Sequence, residues 1–241
     1  MQLFKMASTL VVVLFALYAL LDAIALLPRV AGSLLNKNGL GYTFSVMVHT
    51  LKRVFVVSYP PLLGWIALQG ESLYPAIFAS YFWGALAVVL VSIFKYPIIK
   101  CFIHWIEGYA VGGSVFYAVF QHPYTPHESM VGQGKVDFSF SFDKSLIYSS
   151  SWVYFIYGSS LFFINLFGAE FQDQSAVIYQ LVGIINALGT VLMSFYLDPK
   201  ISRNFDQKER IMESNDSVVA GQLLALVVWG PASIALFSLI L

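Results

Sequence analysis

Long apolar runs, separated by short polar segments, fill most of the chain. Each run reaches or exceeds the roughly 20 residues that a helix needs to cross a bilayer. The hydrocarbon offers the backbone no hydrogen-bond partner, so each run is expected to be helical. The pattern therefore predicts an all-α integral membrane protein, a single polytopic domain over residues 1–241 with about six transmembrane helices. The predicted spans are residues 6–28, 42–68, 74–96, 145–168, 175–197 and 217–241.

A further apolar stretch, residues 97–120, is interrupted by Lys100, His104, Glu107 and a pair of glycines. Positive charges decide whether it spans, because Lys and Arg concentrate on the cytoplasmic side of membrane proteins. Six spans leave only Lys5 on the other side, whereas a seventh would divide the charges between both sides. We therefore predict an interfacial amphipathic helix at 97–120, a cytoplasmic connection over 97–144, and both termini outside. The cations on the predicted cytoplasmic side are Arg29, Lys37, Lys95, Lys100, Lys135, Lys144, Lys200, Arg203, Lys208 and Arg210.

The polar part of this connection contains the stretch "VDFSFSFD". Apolar and polar residues alternate from Val136 to Phe142 with the period of a β-strand. The pattern predicts a short ribbon on the membrane surface or on the helices. His122 and His127 lie nearby without carboxylate or thiolate neighbours, so no metal site is predicted.

Composition strengthens the membrane assignment. The chain is 59% hydrophobic and 11% charged, with a mean hydropathy of +0.76, whereas soluble domains carry about 25% charged residues. A net charge of zero argues against a nucleic-acid partner. Cys101 is the only cysteine, so no internal disulfide forms.

No enzyme or cofactor motif is present. The chain lacks G-x-x-x-x-G-K-[ST], H-E-x-x-H and G-x-S-x-G sequences. Cys101 and His104 lie one helical turn apart, but no third group orients them as a nucleophilic pair. Transport or lipid handling is expected rather than catalysis, without a cofactor.

Polar residues inside the first two spans are the candidate binding groups. Ser45, His49 and Lys52 or Arg53 follow at helical spacing, which places them on one face. Asp22 and Arg29 are seven residues apart, which predicts a shared face in the first span. Two such faces would enclose a hydrated, cationic cleft, and such a cleft suits an anionic group such as a phosphate.

Structural explanations of these charges stay open. Arg29 lies at the end of the first span, so its long side chain could simply extend to the membrane interface without binding a substrate. Lys52 and Arg53 could do the same if the second span began later. A salt bridge from Asp22 to Arg53 could merely hold two helices together.

Helix-breaking residues mark two further positions. Pro60 and Pro61 remove backbone donors, which predicts a second span in two pieces or, alternatively, a helix that ends near Tyr59. Asn186 lies among small residues of the fifth span, as is typical of helix–helix contacts. Asp198 and Pro199 are expected to end that helix at the cytoplasmic exit.

Three stretches carry recognisable patterns in a fixed order. The first, "LLDAIALLPRVAG", has an acidic residue followed seven positions later by Arg, here Asp22 and Arg29. The second, "RVFVVSYPPLLG", has Arg followed by Pro-Leu-Leu-Gly, here Arg53 and Pro61 to Gly64. The third, "QLVGIINALGTVLMSFYLDPKIS", continues past Asp206 into "VVAGQLLALVVWGPA"; its most specific residues are Gly183, Asn186, Thr190, Asp198 and Pro199. In this order the stretches resemble the Amj family, bacterial lipid II flippases.

The chain departs from the family pattern at three positions. Ala19 stands where the family has His, Asp22 where Glu is usual, and Val56 where Asn is usual. The resemblance implies a multi-pass protein of the bacterial cytoplasmic membrane that moves lipid II, an undecaprenyl-pyrophosphate-linked precursor, for peptidoglycan synthesis and cell shape. A divergent member would move another polyprenyl-linked sugar.

The resemblance also suggests roles for individual residues. Arg29, Lys52 and Arg53 would bind the pyrophosphate, and Asp22 would hold a cation in place or titrate during the cycle. The remaining substrate-binding candidates are Ser45, His49 and Asn186, and the hinge or structural candidates are Pro60, Pro61, Gly64, Asp198 and Pro199. The alternatives are a structural or scaffolding membrane protein and a small-anion or proton-coupled transporter.

Overall fold

The computed structural model of the chain describes residues 2–121, 142–206 and 210–240. All regular elements within these ranges are helical, and six helical segments are long and apolar enough to cross a membrane. The prediction of an all-α membrane protein with about six spans is confirmed. The α-helices are α1 (Gln2–Ile24), α2 (Leu27–Leu34), α3 (Asn38–Leu68), α4 (Tyr74–Ile93), α5 (Lys95–Gly112), α6 (Lys144–Glu170), α7 (Ser175–Leu192), α8 (Asp198–Asp206), α9 (Ile211–Leu224) and α10 (Gly230–Ile240).

The first span is broken into α1 and α2 by a turn at residues 25–26. Pro28 lies in the first turn of the new helix, because proline has no amide hydrogen with which to continue the helix that precedes it. The turn exposes a backbone carbonyl at Ala25, and the Ser45 hydroxyl of α3 donates a hydrogen bond to it at 2.6 Å. Ser45 therefore satisfies a carbonyl at the break, and its predicted role in substrate binding stays a prediction.

Helix α3 runs without interruption through Pro60 and Pro61. Both the predicted break and the predicted end near Tyr59 are wrong. Tyr59 and Leu63, on either side of the prolines, are buried against the bundle, and this packing keeps the chain helical. Prolines are tolerated in spanning helices when neighbours hold the segment in place.

An aromatic cluster forms the centre of the bundle. The ring of Phe162 on α6 lies 4.9 Å from Phe15 on α1, 5.6 Å from Tyr59 on α3 and 5.2 Å from Tyr81 on α4, measured between centroids. Tilted and edge-on pairs of this kind add to the stabilisation from dispersion contacts. The cluster joins four of the six spans.

Helix α5 is not among the segments long and apolar enough to span. It packs mainly against α2 and against the following π-helical turn, Tyr117–Gln121. Its predicted interfacial position stays a prediction. The predicted ribbon from Val136, apart from its last residues, and His122 and His127 lie outside the described residues.

The fifth span continues past Pro199, so the prediction that Asp198 and Pro199 end it is wrong. A π-helical turn, Met193–Leu197, follows α7 and leads directly into α8. Pro199 lies in the first turn of α8, where a backbone amide would have no hydrogen-bond partner within that helix, so the missing amide hydrogen costs little. The π-turn allows the chain to accommodate the proline without ending the helix.

Ion pairs gather at one end of the bundle, where α2, α8 and the start of α9 pack together. Lys95 binds the Asp216 carboxylate at 2.7 and 2.8 Å. Lys200 donates a hydrogen bond to Ser149 at 3.0 Å. This end corresponds to the predicted cytoplasmic side, and the side of the membrane stays a prediction.

Candidate functional site: a lateral groove between α3 and α7

Helices α3 and α7 both pack against α6, but within the described residues they do not pack against each other along their length. They approach at Gly64, where an added Cβ would lie 3.8 Å from the Tyr179 hydroxyl of α7. We call the space between them the lateral groove. Its walls are α3 and α7, and its floor is formed by α6, which packs on both.

The α3 wall carries the polar candidates from the sequence. Gly64 marks the side of α3 that faces α7, and Pro60, Arg53 and His49 lie four, eleven and fifteen residues earlier. A helix with 3.6 residues per turn brings these positions to one face. Arg53 is exposed and His49 is half-buried on this face.

The α7 wall is small and polar. Tyr179 marks the side that faces α3, and Gly183, Asn186 and Thr190 follow on that face at helical spacing. The Asn186 side chain lies outside the described residues, so its predicted role stays a prediction. The large exposed apolar residues lie on another face and suit contact with lipid: Val177, Leu181, Ile184 and Leu188.

A buried ion pair lies beneath the α3 wall. Lys52 donates a short hydrogen bond to Oδ1 of Asp22, which joins α3 to α1. Both side chains are almost fully buried. The Lys52 ammonium also lies 5.6 Å from the ring centroid of Tyr18 and 5.0 Å from that of Tyr157. The other Asp22 oxygen, Oδ2, is buried and has no hydrogen-bond partner within the described residues.

His49 connects this pair to the groove. Its Nδ1 lies 3.9 Å from Oδ1 of Asp22, and 30% of its side chain is exposed. Asp22, His49 and Lys52 are thus brought together as the sequence predicts. Arg53, one residue further along α3, faces the groove instead.

Arg53 occupies the midpoint of the 31-residue helix α3. Within the described residues it makes neither a hydrogen bond nor an ion pair. The alternative of a salt bridge between Asp22 and Arg53 is wrong, because Lys52 occupies the Asp22 carboxylate. A guanidinium at this depth is expensive unless it meets water or an anion.

Arg29 lies at one end of the groove. Its guanidinium is 3.4 Å from Asp198 Oδ1 and donates a hydrogen bond to the Ser202 hydroxyl at 2.6 Å. The rings of Tyr42 and Phe205 flank it at 5.6 and 5.3 Å. Arg29 therefore connects α2 to α8 at the end of the fifth span.

The prediction that Asp22 and Arg29 share a face of one continuous helix is wrong. The break at residues 25–26 interrupts the helical spacing between them. Each therefore has a partner elsewhere, Lys52 for Asp22 and Asp198 for Arg29.

The pairing changes the charge of the predicted cleft. Of its three predicted cations, Arg29 and Lys52 are neutralised by carboxylates and Arg53 is not. The groove therefore offers one uncompensated guanidinium at mid-span, with a neutral ion pair beneath it. Arginine binds phosphate with two parallel hydrogen bonds, so the site suits an anionic head group.

A second polar feature lies in the bundle interior and has no counterpart in the sequence prediction. Tyr18, Tyr81, Tyr154 and Gln222 line a small cavity between α1, α4, α6 and α9. The Tyr81 hydroxyl donates to Ser159 at 2.8 Å, and Gln222 donates to the Ala19 carbonyl at 3.3 Å. Tyr18 lies four residues before Asp22, which is the sequence signal that would have placed it near the carboxylate.

The described residues contain no group of three or more metal-ligating side chains. Cys101 is exposed and His104 is buried on α5, away from the groove.

No known protein family, curated protein or solved structure matches the chain. The resemblance to Amj flippases therefore rests on the quoted stretches of the sequence.

Proposed function

We propose that this membrane protein is a flippase that moves a polyprenyl-pyrophosphate-linked lipid, with lipid II as the first candidate, across the bacterial cytoplasmic membrane. The head group would pass along the lateral groove while the lipid tail stays in the bilayer. This proposal agrees with the resemblance of the sequence to the Amj family.

The observation that carries the proposal is Arg53. It is exposed at the midpoint of α3, on the wall of a groove open to the side, and has no partner within the described residues. An isolated ion transferred into hydrocarbon loses hydration energy on the order of tens of kcal/mol. A guanidinium in the path would offset part of this loss for a pyrophosphate.

The form of the groove also supports a lipid substrate. The face of α7 opposite the groove carries large exposed apolar residues that suit contact with lipid. A lipid whose head group lies in the groove would keep its tail in the surrounding bilayer. A small free anion would need no such lateral opening.

The test is growth of bacteria depleted of their lipid II flippase, with wild type beside Arg53→Ala and Arg53→Lys. We expect wild type to restore growth and Arg53→Ala to fail. In vesicles, Arg53→Ala should slow lipid II transfer roughly ten- to hundredfold, because hydrogen bonds to charged groups contribute about 1.5–3 kcal/mol. Arg53→Lys should retain part of the rate, because it keeps the charge without the bidentate geometry.

Arg203→Ala is the matched control, since Arg203 is an exposed arginine on α8 outside the groove. It should behave as wild type. A folded Arg53→Ala protein with full transfer would remove the proposal. Transfer of a different polyprenyl-pyrophosphate sugar, but not of lipid II, would support the groove as the path and identify that lipid as the substrate.

A scaffolding protein is the rival proposal, and two ion pairs between helices favour it, one of them buried and one half-buried. Asp22 with Lys52 and Arg29 with Asp198 each hold two elements together. The double exchange Asp22→Lys with Lys52→Asp distinguishes the two functions. A scaffold should recover its function with its fold, whereas a flippase should recover its fold and still transfer lipid poorly.

A further inference from the structure

We propose that Asp22 is a proton-binding site, and that binding of the lipid diphosphate in the groove drives uptake of one proton from water onto its carboxylate. This inference deepens the proposed function and rests on it. It assigns the proton as the second ligand of the groove and thereby offers a means of energy coupling.

The first step concerns Lys52, which lies between two anions when substrate is bound. Its ammonium contacts Asp22 on one side and the ring of Tyr157 on the other. Tyr157 in turn contacts Gly189 of α7, where an added Cβ would meet the Tyr157 ring. Lys52 is thus at the boundary between the buried carboxylate and the groove, and an arriving diphosphate competes with Asp22 for it.

The second step is the consequence for Asp22. When Lys52 turns to the diphosphate, the Asp22 carboxylate loses the one permanently charged partner that it has among the described residues, while it stays almost fully buried. An unpaired charge in the interior costs several kcal/mol. A proton on the carboxylate removes that charge, so substrate binding and proton binding are linked and favour each other.

The third step identifies where the proton is accepted. Oδ2 of Asp22 has no hydrogen-bond partner within the described residues, although it is fully enclosed. A proton on this oxygen neutralises the carboxyl group and breaks no existing hydrogen bond. Tyr18 lies one helical turn before Asp22 on α1, and together with Tyr154 it lines a cavity that has room for about one water molecule.

The fourth step is a path from water. His49 is the half-exposed group between the groove and Asp22, with Nδ1 3.9 Å from Oδ1. An imidazole at this position transfers a proton by accepting it on one nitrogen and releasing it from the other. His49 is accordingly a positioning and relay residue, and Asp22 is the site that keeps the proton.

The titratable and charged groups around Asp22 are accounted for on each neighbouring helix. Helix α3 contributes His49 and Lys52, and α1 itself contributes Tyr18. Helix α6 contributes Tyr154 and Tyr157, and α4 contributes Tyr81, whose hydroxyl donates to Ser159. Helix α9 contributes the neutral Gln222, which is bonded to the Ala19 carbonyl. Lys52 is therefore the cation whose movement changes the charge balance at Asp22.

The experiment measures protons taken up when geranylgeranyl diphosphate binds to the purified full-length protein in detergent. Isothermal titration in buffers of different ionisation enthalpy gives this number at about pH 8, above the range near ~6 in which phosphate groups titrate. We expect uptake of about one proton per ligand for wild type. Asp22→Asn and Lys52→Met should both bind with almost no uptake, because neither contains the pair that the ligand separates.

Asp216→Asn is the matched control, because it removes the carboxylate of the ion pair with Lys95, outside the groove. It should take up protons as wild type does. Geranylgeraniol, which lacks the diphosphate, should cause no uptake. His49→Gln should slow proton uptake in stopped-flow measurements with a pH dye while leaving the final number of protons unchanged.

The outcomes separate this inference from the proposed function. No binding of the diphosphate by folded wild type would remove both. Binding without proton uptake by wild type would overturn the inference and leave the flippase proposal standing. If the Asp22 and Lys52 variants do not fold, the wild-type proton number still decides, and full uptake in a folded Asp22→Asn protein would also overturn the assignment.

Discussion

The fourth and fifth spans are consecutive, similar in hydropathy and opposite in packing. The most apolar stretch of the segment Lys144–Glu170 is 56% buried, whereas that of the segment Gln172–Phe205 is 6% buried. The more exposed fifth span is the more apolar of the two, with a mean hydropathy of 1.8 against 1.4 for the buried fourth span. Apolar character therefore places both in the membrane, but it does not determine which one belongs to the core.

Their polar residues explain the difference. Helix α6 carries buried serines and Asn165, and it packs on α3, α7 and α9. Ser150 is close enough to α9 that an added Cβ at Gly221 would overlap its hydroxyl. Small polar residues allow close helix approach and satisfy their own hydroxyls within the helix. Helix α7 packs mainly on α6, which leaves its other faces to lipid and to the groove.

The largest effect is expected for a Phe→Ala substitution in the buried fourth span, and the same substitution in the exposed fifth span serves as its counterpart. Phe162→Ala in α6 removes the ring at the centre of the aromatic cluster, and we expect a loss of about 3–5 kcal/mol of stability. The measurement is the unfolding free energy in detergent. A loss below about 1 kcal/mol would contradict the assignment of this cluster as the core.

A smaller effect is expected where α2 and α3 touch. An added Cβ at Gly41 would lie 2.7 Å from the Pro28 carbonyl oxygen and 2.9 Å from the Gly32 Cα, both rigid backbone atoms. Gly41→Ala should therefore destabilise the protein by about 1–3 kcal/mol. Gly39→Ala is the control, since nothing lies within 4 Å of its added Cβ, and it should be neutral or slightly stabilising. Equal effects at both positions would show that α2 and α3 are not in close contact.

Ser45→Ala should cost about 1 kcal/mol, the loss expected when a buried carbonyl loses its hydrogen bond. Ser45 donates to Ala25 of the helix break, whereas nearby Thr43 bonds only within its own helix to Gly39. Thr43→Ala is therefore the control and should have a smaller effect. If Ser45→Ala instead reduced transport without reducing stability, the sequence-based assignment to the binding set would regain support.

The smallest effect is expected in the fifth span. Phe195 is 80% exposed in the π-turn after α7, so Phe195→Ala should change stability by no more than about 0.5 kcal/mol. Compared with Phe162→Ala, this variant tests the same chemical change in a loosely packed span. A loss comparable to that of Phe162→Ala would indicate that a partner covers this face.

The sequence by itself determined the all-α membrane class, the six spans and the presence of charges within the first two. Length and hydropathy are properties of single segments, so they need no knowledge of neighbours. Helical spacing also placed His49 and Lys52 on one face of the second span. The prediction that Asp22 and Arg29 share a helix face was wrong, because the break before Pro28 interrupts the helical periodicity between them.

Only the tertiary structure decided which charges neutralise each other. Arg53 and Lys52 are neighbours of the same sign in the sequence, yet one faces the groove and the other is buried against Asp22. Pro60 and Pro61 likewise remain within one helix because buried neighbours hold it, and Pro199 because a π-turn precedes it. Pairing and helix continuity depend on energies of contact between spans, and a sequence encodes those contacts only through the fold.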